Sequence, residues 1–343
     1  MLSTASEFRL NQRTDALNFD DRLAYAADAV SSLTRLLVSL VTAAALLAGT
    51  GAERPLALGV QATRPQRLVA IGDLHADIAN ARRAFRLAGA TNEQDAWIGG
   101  SLTVVQMGDL IGRGSDDRAV LDFVLDLQEK AKAGGGTLHV ILGNHEVFAA
   151  RPDHRWVDPG AFAAFATIPG LDLRNARVTG LPAMERARFA ALMPGGYYSK
   201  RLAAFPAVLK VGGTVFAHGG VLPLWARYGL ERINTEVHDW LAGRTAEPPP
   251  TLGLDDGSAD DGVMWSRHFA SNTGEAGCAA LAESLSVLRA QRMVVAHTVQ
   301  PHITPRCDER VWAIDVGISR YYGGPLEVLE IVDDRQVRVL DAK

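Results

Sequence analysis

Five short apolar segments of this chain each end in Asp, Asn or His beside a small residue, and this pattern constrains the fold most. The five junctions are, in chain order, Gly72-Asp73-Leu74-His75, Gly108-Asp109, Gly143-Asn144-His145-Glu146, Ala217-His218-Gly219-Gly220 and Ala296-His297-Thr298. The apolar runs have the length of β-strands, and helical stretches lie between them. Such alternation predicts a layered α/β fold. In α/β sheets, ligands bind beyond the carboxyl ends of strands, so we expect the polar side chains to share one cavity.

Strand and helix patterns extend over most of the chain after residue 66. The predicted strands are Leu68–Ile71, Leu102–Met107, Thr137–Leu142, a hairpin over Ala207–Ala217, Met293–Ala296, Val311–Ile314, Leu326–Ile331 and Val337–Leu340. The predicted helices are Ile78–Leu87, Ala119–Ala133 and Ala279–Ala290. The segment from 150 to about 198 has no clear strand pattern, so we predict helices and loops there that cover the site.

The five junctions predict a metal centre only when they are taken together. A single Gly-Asp pair is usually a turn, because both residues suit turns for ordinary reasons. Cleavage of a phosphate ester requires neutralised phosphoryl oxygens and hydroxide at neutral pH, and two metal ions roughly 3.5–4 Å apart supply both. Mixed carboxylate and imidazole ligands suit Mn, Fe or Zn. One carboxylate must then bridge the two ions.

With these motifs, the stretch from about Arg67 to Ile331 resembles the calcineurin-like metallophosphoesterases, and within them the phosphoprotein phosphatase superfamily. The resemblance implies a layered α/β/β/α sandwich with a mostly helical insertion at about 150–198, and two divalent ions. By position, it implies that Asp73 and His75 bind the first ion, Asp109 bridges, and Asn144, His218 and His297 bind the second. His145 would be the general acid, and the planar guanidinium of Arg113 would hold phosphate.

The last third of the chain resembles the bacterial Shewanella-like protein phosphatases, through Arg292–Gln300 and Ala313–Ser319. Trp265-Ser266-Arg267 stands where that family places a second phosphate-binding arginine; the alternative for Arg267 is a surface salt bridge. The resemblance implies that Asn144, Arg113 and Arg267 contact the substrate phosphate. It also implies hydrolysis of phosphate monoesters by a metal-activated hydroxide, on phosphotyrosine or phosphoserine/threonine.

Gly112 departs from the pattern Gly-Asp-x-x-Asp-Arg-Gly that most of the superfamily has, because it stands where the second Asp orients the catalytic histidine. Symmetrical diadenosine tetraphosphate hydrolases also lack that Asp, so a dinucleoside polyphosphate or another small phosphoester is the alternative substrate. A catalytically inactive binding protein is a third hypothesis. Because a carboxylate raises the pKa of a nearby imidazole, we expect His145 to titrate lower here, and Gly112→Asp to extend activity to higher pH.

The remaining candidates read as structural. We predict that Asp116 and Asp117 form a solvated turn or a helix N-cap. The pairs Tyr197-Tyr198 and Tyr321-Tyr322 are expected to pack in the core or at a rim; the alternative is that they line a substrate groove. The other histidines, expected not to bind metal, are His139, His154, His238, His268 and His302.

The N-terminus indicates export. Arg35 precedes the apolar run Leu36–Ala48, and small residues follow, which is the order of a secretory signal. We therefore predict an N-terminal extension over 1–62 with a signal or anchor at 36–48, a catalytic domain over 63–343, and a periplasmic or exported protein; the alternatives are a buried helix and a cytoplasmic protein. Cys278 and Cys307 are then either two free thiols or one disulfide, which requires export.

The balance of positive and negative charge limits the classes of partner to expect. The 35 Lys and Arg residues nearly balance the 39 Asp and Glu residues. This balance argues against a nucleic-acid surface, which needs a clustered basic excess. The expected partner is a phosphoprotein or a small phosphoester, and membrane contact is expected only through the N-terminal segment.

Overall fold

The structure is a computed structural model that describes residues 60–61, 65–253, 259–271 and 274–342. The predicted signal or anchor at 36–48 lies outside the described residues. The strands are β1 Val60–Gln61, β2 Arg67–Ile71, β3 Thr103–Gln106, β4 Thr137–Val140, β5 Val208–Val211, β6 Thr214–Ala217, β7 Arg292–Val295, β8 Thr304–Arg306, β9 Val311–Ala313, β10 Glu327–Val332 and β11 Gln336–Asp341. The α-helices are α1 Ile78–Leu87, α2 Asp117–Ala133, α3 Asn144–Ala149, α4 Ala176–Thr179, α5 Arg186–Leu192, α6 Ser199–Leu202, α7 Pro223–Tyr228, α8 Leu230–Leu241 and α9 Gly274–Leu288.

The strands form two mixed sheets. One has the order β11-β10-β2-β3-β4, in which β2, β3 and β4 are parallel and β10 pairs antiparallel with β2. The other has the order β1-β5-β6-β7-β9-β8, in which β6, β7 and β9 are parallel. Each sheet therefore has three adjacent parallel strands, whose carboxyl ends lie at one edge.

The two sheets pack on each other through an apolar layer that uses every second residue of a strand. Leu68 and Ala70 of β2 lie in this layer with Phe216 of β6 and Trp312 of β9. The intervening residues of the same strands, such as Val69, belong to a second cluster that includes helix residues. This helix–sheet–sheet–helix arrangement confirms the predicted α/β/β/α sandwich.

Local signals account for several element boundaries. The carboxylate of Asp77 accepts the Asn80 N–H and caps the start of α1. Gly134 follows the last residue of α2, and Pro223 begins α7, where its missing N–H costs nothing. The predicted helix at 78–87 has the bounds of α1. No element was predicted at α7, α8 or β8.

The segment between α3 and β5 contains short helices joined by turns. These are α4, α5, α6 and the 3₁₀ helices Pro159–Ala161 and Ala163–Thr167. Across the described residues, no helix has both the length and the apolarity that a membrane crossing requires.

Candidate active site

The polar junctions meet where the carboxyl ends of both sheets converge. Asp73 and His75 follow β2, Asp109 follows β3, and Asn144 begins α3 after β4. His218 follows β6 and His297 follows β7 in the other sheet. The strand β9 ends at Ala313, two residues before Asp315, a residue that was not predicted to be in the site.

Asp109 lies at the centre of this cluster. Its Oδ2 is 3.7 Å from Nε2 of His75, 3.3 Å from Nε2 of His218 and 3.9 Å from Nε2 of His145. Its Oδ1 accepts the backbone N–H of His145 at 2.9 Å. Two groups of donor atoms that could hold an ion share this one carboxylate: His75, Asp109 and His145 form one, and Asp109, His218 and His297 form the other. A shared carboxylate is the arrangement that a bridge between two ions requires.

The remaining predicted ligands lie beside this carboxylate. The amide of Asn144 is 3.0 Å from Nε2 of His218 and 3.0 Å from Nδ1 of His297. Nδ1 of His218 is 2.7 Å from the Met107 carbonyl oxygen. Donation from Nδ1 to this carbonyl directs the lone pair of Nε2 towards the cluster. Asp73 completes the set, 3.7 Å from Nε2 of His75 and 3.8 Å from Nδ1 of His218.

The chemistry of these donors fits bound cations. Burial raises the pKa of Asp73 well above its usual value, and the nearby carboxylates of Asp315 and Asp109 add to the shift. Oδ1 of Asp73, Oδ2 of Asp315 and Nε2 of His297 are buried without a hydrogen-bond partner. Buried acids this close together are costly unless a cation offsets their charge. The cluster therefore has the donors, the excess negative charge and the unpartnered atoms of a metal site.

Burial also keeps most of the imidazoles in the form that binds metal. It lowers the pKa of His75, and it lowers the pKa of His297 to about 2. Neutral imidazole is the ligating species, so these rings are ready to bind an ion without losing a proton first. His218 differs: burial acts to lower its pKa, but the adjacent Asp109 carboxylate raises it overall.

The backbone at the site is strained. His75, Asp109, Arg113 and His297 have φ values of 46°, 50°, 71° and 65°, in the left-handed region that non-glycine residues rarely occupy. Such conformations cost roughly 1–3 kcal/mol each and persist where the surroundings fix them. Three of these four residues are predicted metal ligands, and no sequence pattern revealed the strain.

Glu146 fixes the turn that carries Asp109. Its carboxylate accepts the backbone N–H groups of Asp109, Leu110 and Gly143 at 2.8–2.9 Å. Burial raises the pKa of Glu146 to about 7, and the Asp109 charge adds to the shift. Glu146 therefore acts on Asp109 through the backbone.

His145 faces the cavity and packs against Gly112. A Cβ atom at position 112, where φ is +80°, would lie 2.1 Å from Nδ1 of His145. Position 112 thus faces the catalytic-acid candidate, as the family resemblance implied, but the space that a side chain needs is filled by the imidazole. Burial lowers the pKa of His145 to about 3, against the opposing attraction of Asp109.

The cavity beside the cluster has cationic and aromatic walls. Its volume is about 250 Å³, and its lining comprises His75, Asp109, Arg113, Asn144, His145, Phe148, Arg155, Trp156, Trp265, Arg267, His297 and Tyr322. The guanidinium of Arg113 stacks on Trp156, 4.0 Å from the ring centroid. Arg267 donates to the His297 carbonyl and to Thr298 Oγ1. Tyr322, expected to be packing, is part of this wall.

The prediction of a solvated turn or an N-cap was wrong for Asp117. It is fully buried, and its carboxylate pairs with the equally buried Arg188. Asp116 does occupy the N-cap position of α2, although its side chain makes no capping bond. The five histidines expected to be structural are absent from the cavity lining within the described residues. Among them, His154 lies 2.7 Å from Glu185.

Comparison with known proteins agrees with this site. The family model described as calcineurin-like phosphoesterase matches residues 66–301. The chain therefore belongs to the calcineurin-like phosphoesterases, and it is a metal-dependent hydrolase of phosphate esters. It resembles Shewanella-like protein phosphatase 2 of Arabidopsis thaliana, with 36% identity over 81% of this chain and 78% of the relative.

Two further comparisons extend this result. Shewanella-like protein phosphatase 1 of Plasmodium berghei is 27% identical over 80% of this chain and 74% of its own length. Among solved structures, the cold-active protein-tyrosine phosphatase of a psychrophilic Shewanella species has a TM-score of 0.61 and 20% identity, and the match covers 82% of each chain. The structural match confirms the fold.

Proposed function

We propose that this chain is a protein phosphatase that hydrolyses phosphotyrosine. The observation that carries the proposal is the composition of the cavity wall. It combines three arginines with four aromatic residues: Arg113, Arg155, Arg267, Phe148, Trp156, Trp265 and Tyr322. Arginines match a phosphate dianion, and aromatic side chains pack on a phenyl ring at 4.5–7 Å between centroids, a contact that phosphoserine cannot make.

The six converging residues would hold two ions of Mn, Fe or Zn. Asp73 and His75 would bind one ion, Asn144, His218 and His297 would bind the other, and Asp109 would be shared. Ions bound there would neutralise phosphoryl charge and lower the pKa of water. The carboxylate, imidazole and amide donors support these metals over Ca²⁺.

The remaining roles fall to side chains at the cavity wall. Arg113 and Arg267 hold the phosphate, and Asn144 contacts it from the floor. His145 donates a proton to the leaving oxygen. Its pKa is low in the resting protein, but a bound phosphate dianion favours the protonated imidazole and raises that pKa.

Hydrolysis of diadenosine tetraphosphate is the second candidate, and Gly112 supports it because those hydrolases also lack the Asp. One experiment separates the two. The Mn²⁺-loaded protein is given one peptide sequence phosphorylated on Tyr, Ser or Thr in turn, and diadenosine tetraphosphate. We expect the highest kcat/KM with the phosphotyrosine peptide. A higher value for diadenosine tetraphosphate would contradict the proposal.

Replacing an aromatic residue of the cavity wall tests whether that wall selects phosphotyrosine over phosphoserine. Phe148 lies edge-on to Trp265, with 4.8 Å between ring centroids, beside the cavity. Phe148→Leu should lower kcat/KM for the phosphotyrosine peptide more than for the phosphoserine peptide. Phe123→Leu, in α2 and outside the cavity lining, is the matched control and should leave the ratio unchanged. Equal losses on both peptides would mean that the wall does not select the ring.

Export is part of the proposal. The structure joins Cys278 of α9 to Cys307, which follows β8, in a disulfide with 5.4 Å between Cα atoms. Disulfides persist mainly in oxidising compartments, which supports the signal-like reading of Leu36–Ala48. N-terminal sequencing of the native protein should place the first residue between about 49 and 62. A protein that begins at Met1 in the cytosolic fraction would contradict export.

A further inference from the structure

The β3–α2 loop, residues 107–116, carries both Asp109 and Arg113, and its backbone amides show what fixes its shape. Glu146 accepts the N–H groups of Asp109 and Leu110, as described above. The Trp156 carbonyl oxygen accepts the Arg113 N–H at 2.7 Å. The Gly112 N–H is donated to Oδ1 of Asp117 at 2.8 Å. The shape of the β3–α2 loop is therefore fixed by groups that lie outside it.

Asp117 is in turn held by the insertion. Its Oδ2 accepts a hydrogen bond from Nε of Arg188 at 2.7 Å. The same oxygen forms an ion pair with Nη2 of Arg188 at 2.6 Å. Both side chains are buried, at 0% and 1% exposure. Arg188 belongs to α5, within the segment 150–198. A buried ion pair often adds no more stability than apolar residues of the same volume. What distinguishes this pair is the group it holds, the amide of Gly112 in the β3–α2 loop.

Gly112 connects this pair to the catalytic groups. It lies so close to the imidazole of His145 that a Cβ atom at position 112 would be 2.1 Å from Nδ1, and it precedes Arg113 in the chain. A shift of the Gly112 amide therefore changes the space available to the proton donor. It also moves the backbone of Arg113, whose guanidinium is proposed to hold phosphate.

We propose that Asp117 and Arg188 are positioning residues for His145 and Arg113. Through them, the insertion holds the β3–α2 loop in its active shape. The effect on turnover rests on the proposed hydrolysis, and the effect on phosphate binding rests on the role proposed for Arg113. Neither residue lines the cavity, so both act through Gly112.

The chain contains a matched control for a purely structural role. Asp334 and Arg292 are also buried, and Oδ1 of Asp334 accepts from Arg292 at 3.0 Å. The other oxygen of Asp334 accepts a glycine amide, that of Gly213, at 2.9 Å. Like the first pair, this one joins a carboxylate to a buried arginine and to a glycine amide, and its residues are outside the cavity lining.

The experiment compares Asp117→Asn with Asp334→Asn in the full chain, loaded with Mn²⁺. Orthophosphate affinity is measured by calorimetry, and kcat is measured on phenyl phosphate and on p-nitrophenyl phosphate, whose better leaving group needs less proton donation. We expect Asp117→Asn to weaken orthophosphate binding and to lower kcat on phenyl phosphate roughly 10- to 100-fold, with a smaller loss on p-nitrophenyl phosphate. Metal content should stay at the wild-type level.

Asp334→Asn should lower stability and change neither the phosphate affinity nor the ratio of the two kcat values. If both variants behave alike, Asp117 is merely structural and the proposal is overturned. Arg188→Lys provides a second route, since it keeps the charge but loses the planar fork. It should show the same selective loss, and wild-type behaviour in a folded Arg188→Lys protein would also overturn the proposal.

The two proposals fail differently. If the wild-type protein binds orthophosphate but does not hydrolyse phosphate monoesters, the proposed function fails, and the orthophosphate comparison of the two variants still decides the positional role. If the wild-type protein hydrolyses both aryl phosphates and Asp117→Asn matches it, only the positional role fails.

Discussion

At the scale of single residues, the site depends most on Asp109. Its two carboxylate oxygens reach three histidine rings and one backbone amide, and its own backbone is held in a left-handed conformation. Burial acts to raise the pKa of Asp109, but the neighbouring His218 and His145 outweigh it and keep the pKa well below its usual value. Asp109 is therefore ionised at neutral pH, as a shared ligand must be.

Asp109→Asn should abolish activity and lose metal. Neutralising a shared ligand affects both ions, so the loss should exceed that of Asp73→Asn, which affects one. We expect more than a roughly 100-fold fall in turnover, since even changes beyond the direct ligands cost about 10- to 100-fold. Elemental analysis alongside turnover is the measurement. A variant with two metals and a normal rate would refute the shared role.

Gly112→Asp should fail to restore the carboxylate that relatives have. The new side chain meets the His145 imidazole, and φ of +80° disfavours any residue but glycine. We expect a loss of unfolding free energy of about 1 kcal/mol or more and a fall in kcat, both shared by Gly112→Ala. Thermal melts and kcat–pH profiles of the two variants test this. An active Asp variant with a higher alkaline limb would show that the ring can move.

The sequence predicted the residues at strand ends but not those that support them. Asp73, His75, Asp109, Asn144, His218 and His297 share a local pattern, a polar residue after an apolar run, and this pattern can be read without a structure. Asp315 has the same local pattern, and reading one more strand end would have found it. Asp117 and Arg188 lie 71 positions apart, and their pairing depends on how the insertion packs, which no local pattern encodes.

At the scale of elements, the disulfide ties α9 to the turn after β8. Its two cysteines are 29 positions apart, so it closes a loop of moderate length. Closing such a loop restricts the unfolded chain and should contribute about 3–4 kcal/mol to stability. Neither cysteine lines the cavity, so we expect the crosslink to affect stability rather than catalysis.

Replacing both cysteines, as Cys278→Ser with Cys307→Ser, should lower the unfolding free energy by about 3–4 kcal/mol. The kcat on a phosphotyrosine peptide should be unchanged at temperatures where the variant stays folded. Denaturant unfolding of the wild-type protein under reducing conditions should give the same midpoint as the double variant. Identical midpoints for oxidised and reduced wild-type protein would mean that the bond does not form.

Element positions could be predicted where periodicity was strong. The amphipathic pattern of Ile78–Leu87 and the apolar run before Gly72 gave α1 and β2 nearly residue for residue. The three-residue strand β8 was not predicted, because its sequence Thr-Pro-Arg has no apolar alternation and its place in the sheet comes from pairing with β9. Short edge strands depend on their neighbours more than on their own residues.

At the scale of the whole molecule, function follows from two sheets whose parallel strands point their carboxyl ends at one cavity. β2, β3 and β4 bring four predicted ligands from one sheet, and β6 and β7 bring two from the other. Neither sheet alone carries all the predicted metal ligands. The metal centre therefore depends on the packing of the two sheets against each other. Layered α/β alternation was predictable from sequence, whereas the pairing of the two sheets rests on long-range contacts.

Anomalous diffraction from crystals of the protein loaded with Mn²⁺ tests whether the junction of the sheets holds two metal ions. We expect two anomalous peaks roughly 3.5–4 Å apart, with the Asp109 carboxylate between them. One should lie against Asp73 and His75, and the other against Asn144, His218 and His297. A single peak, or two peaks that do not share Asp109, would contradict a two-metal centre at the junction of the sheets.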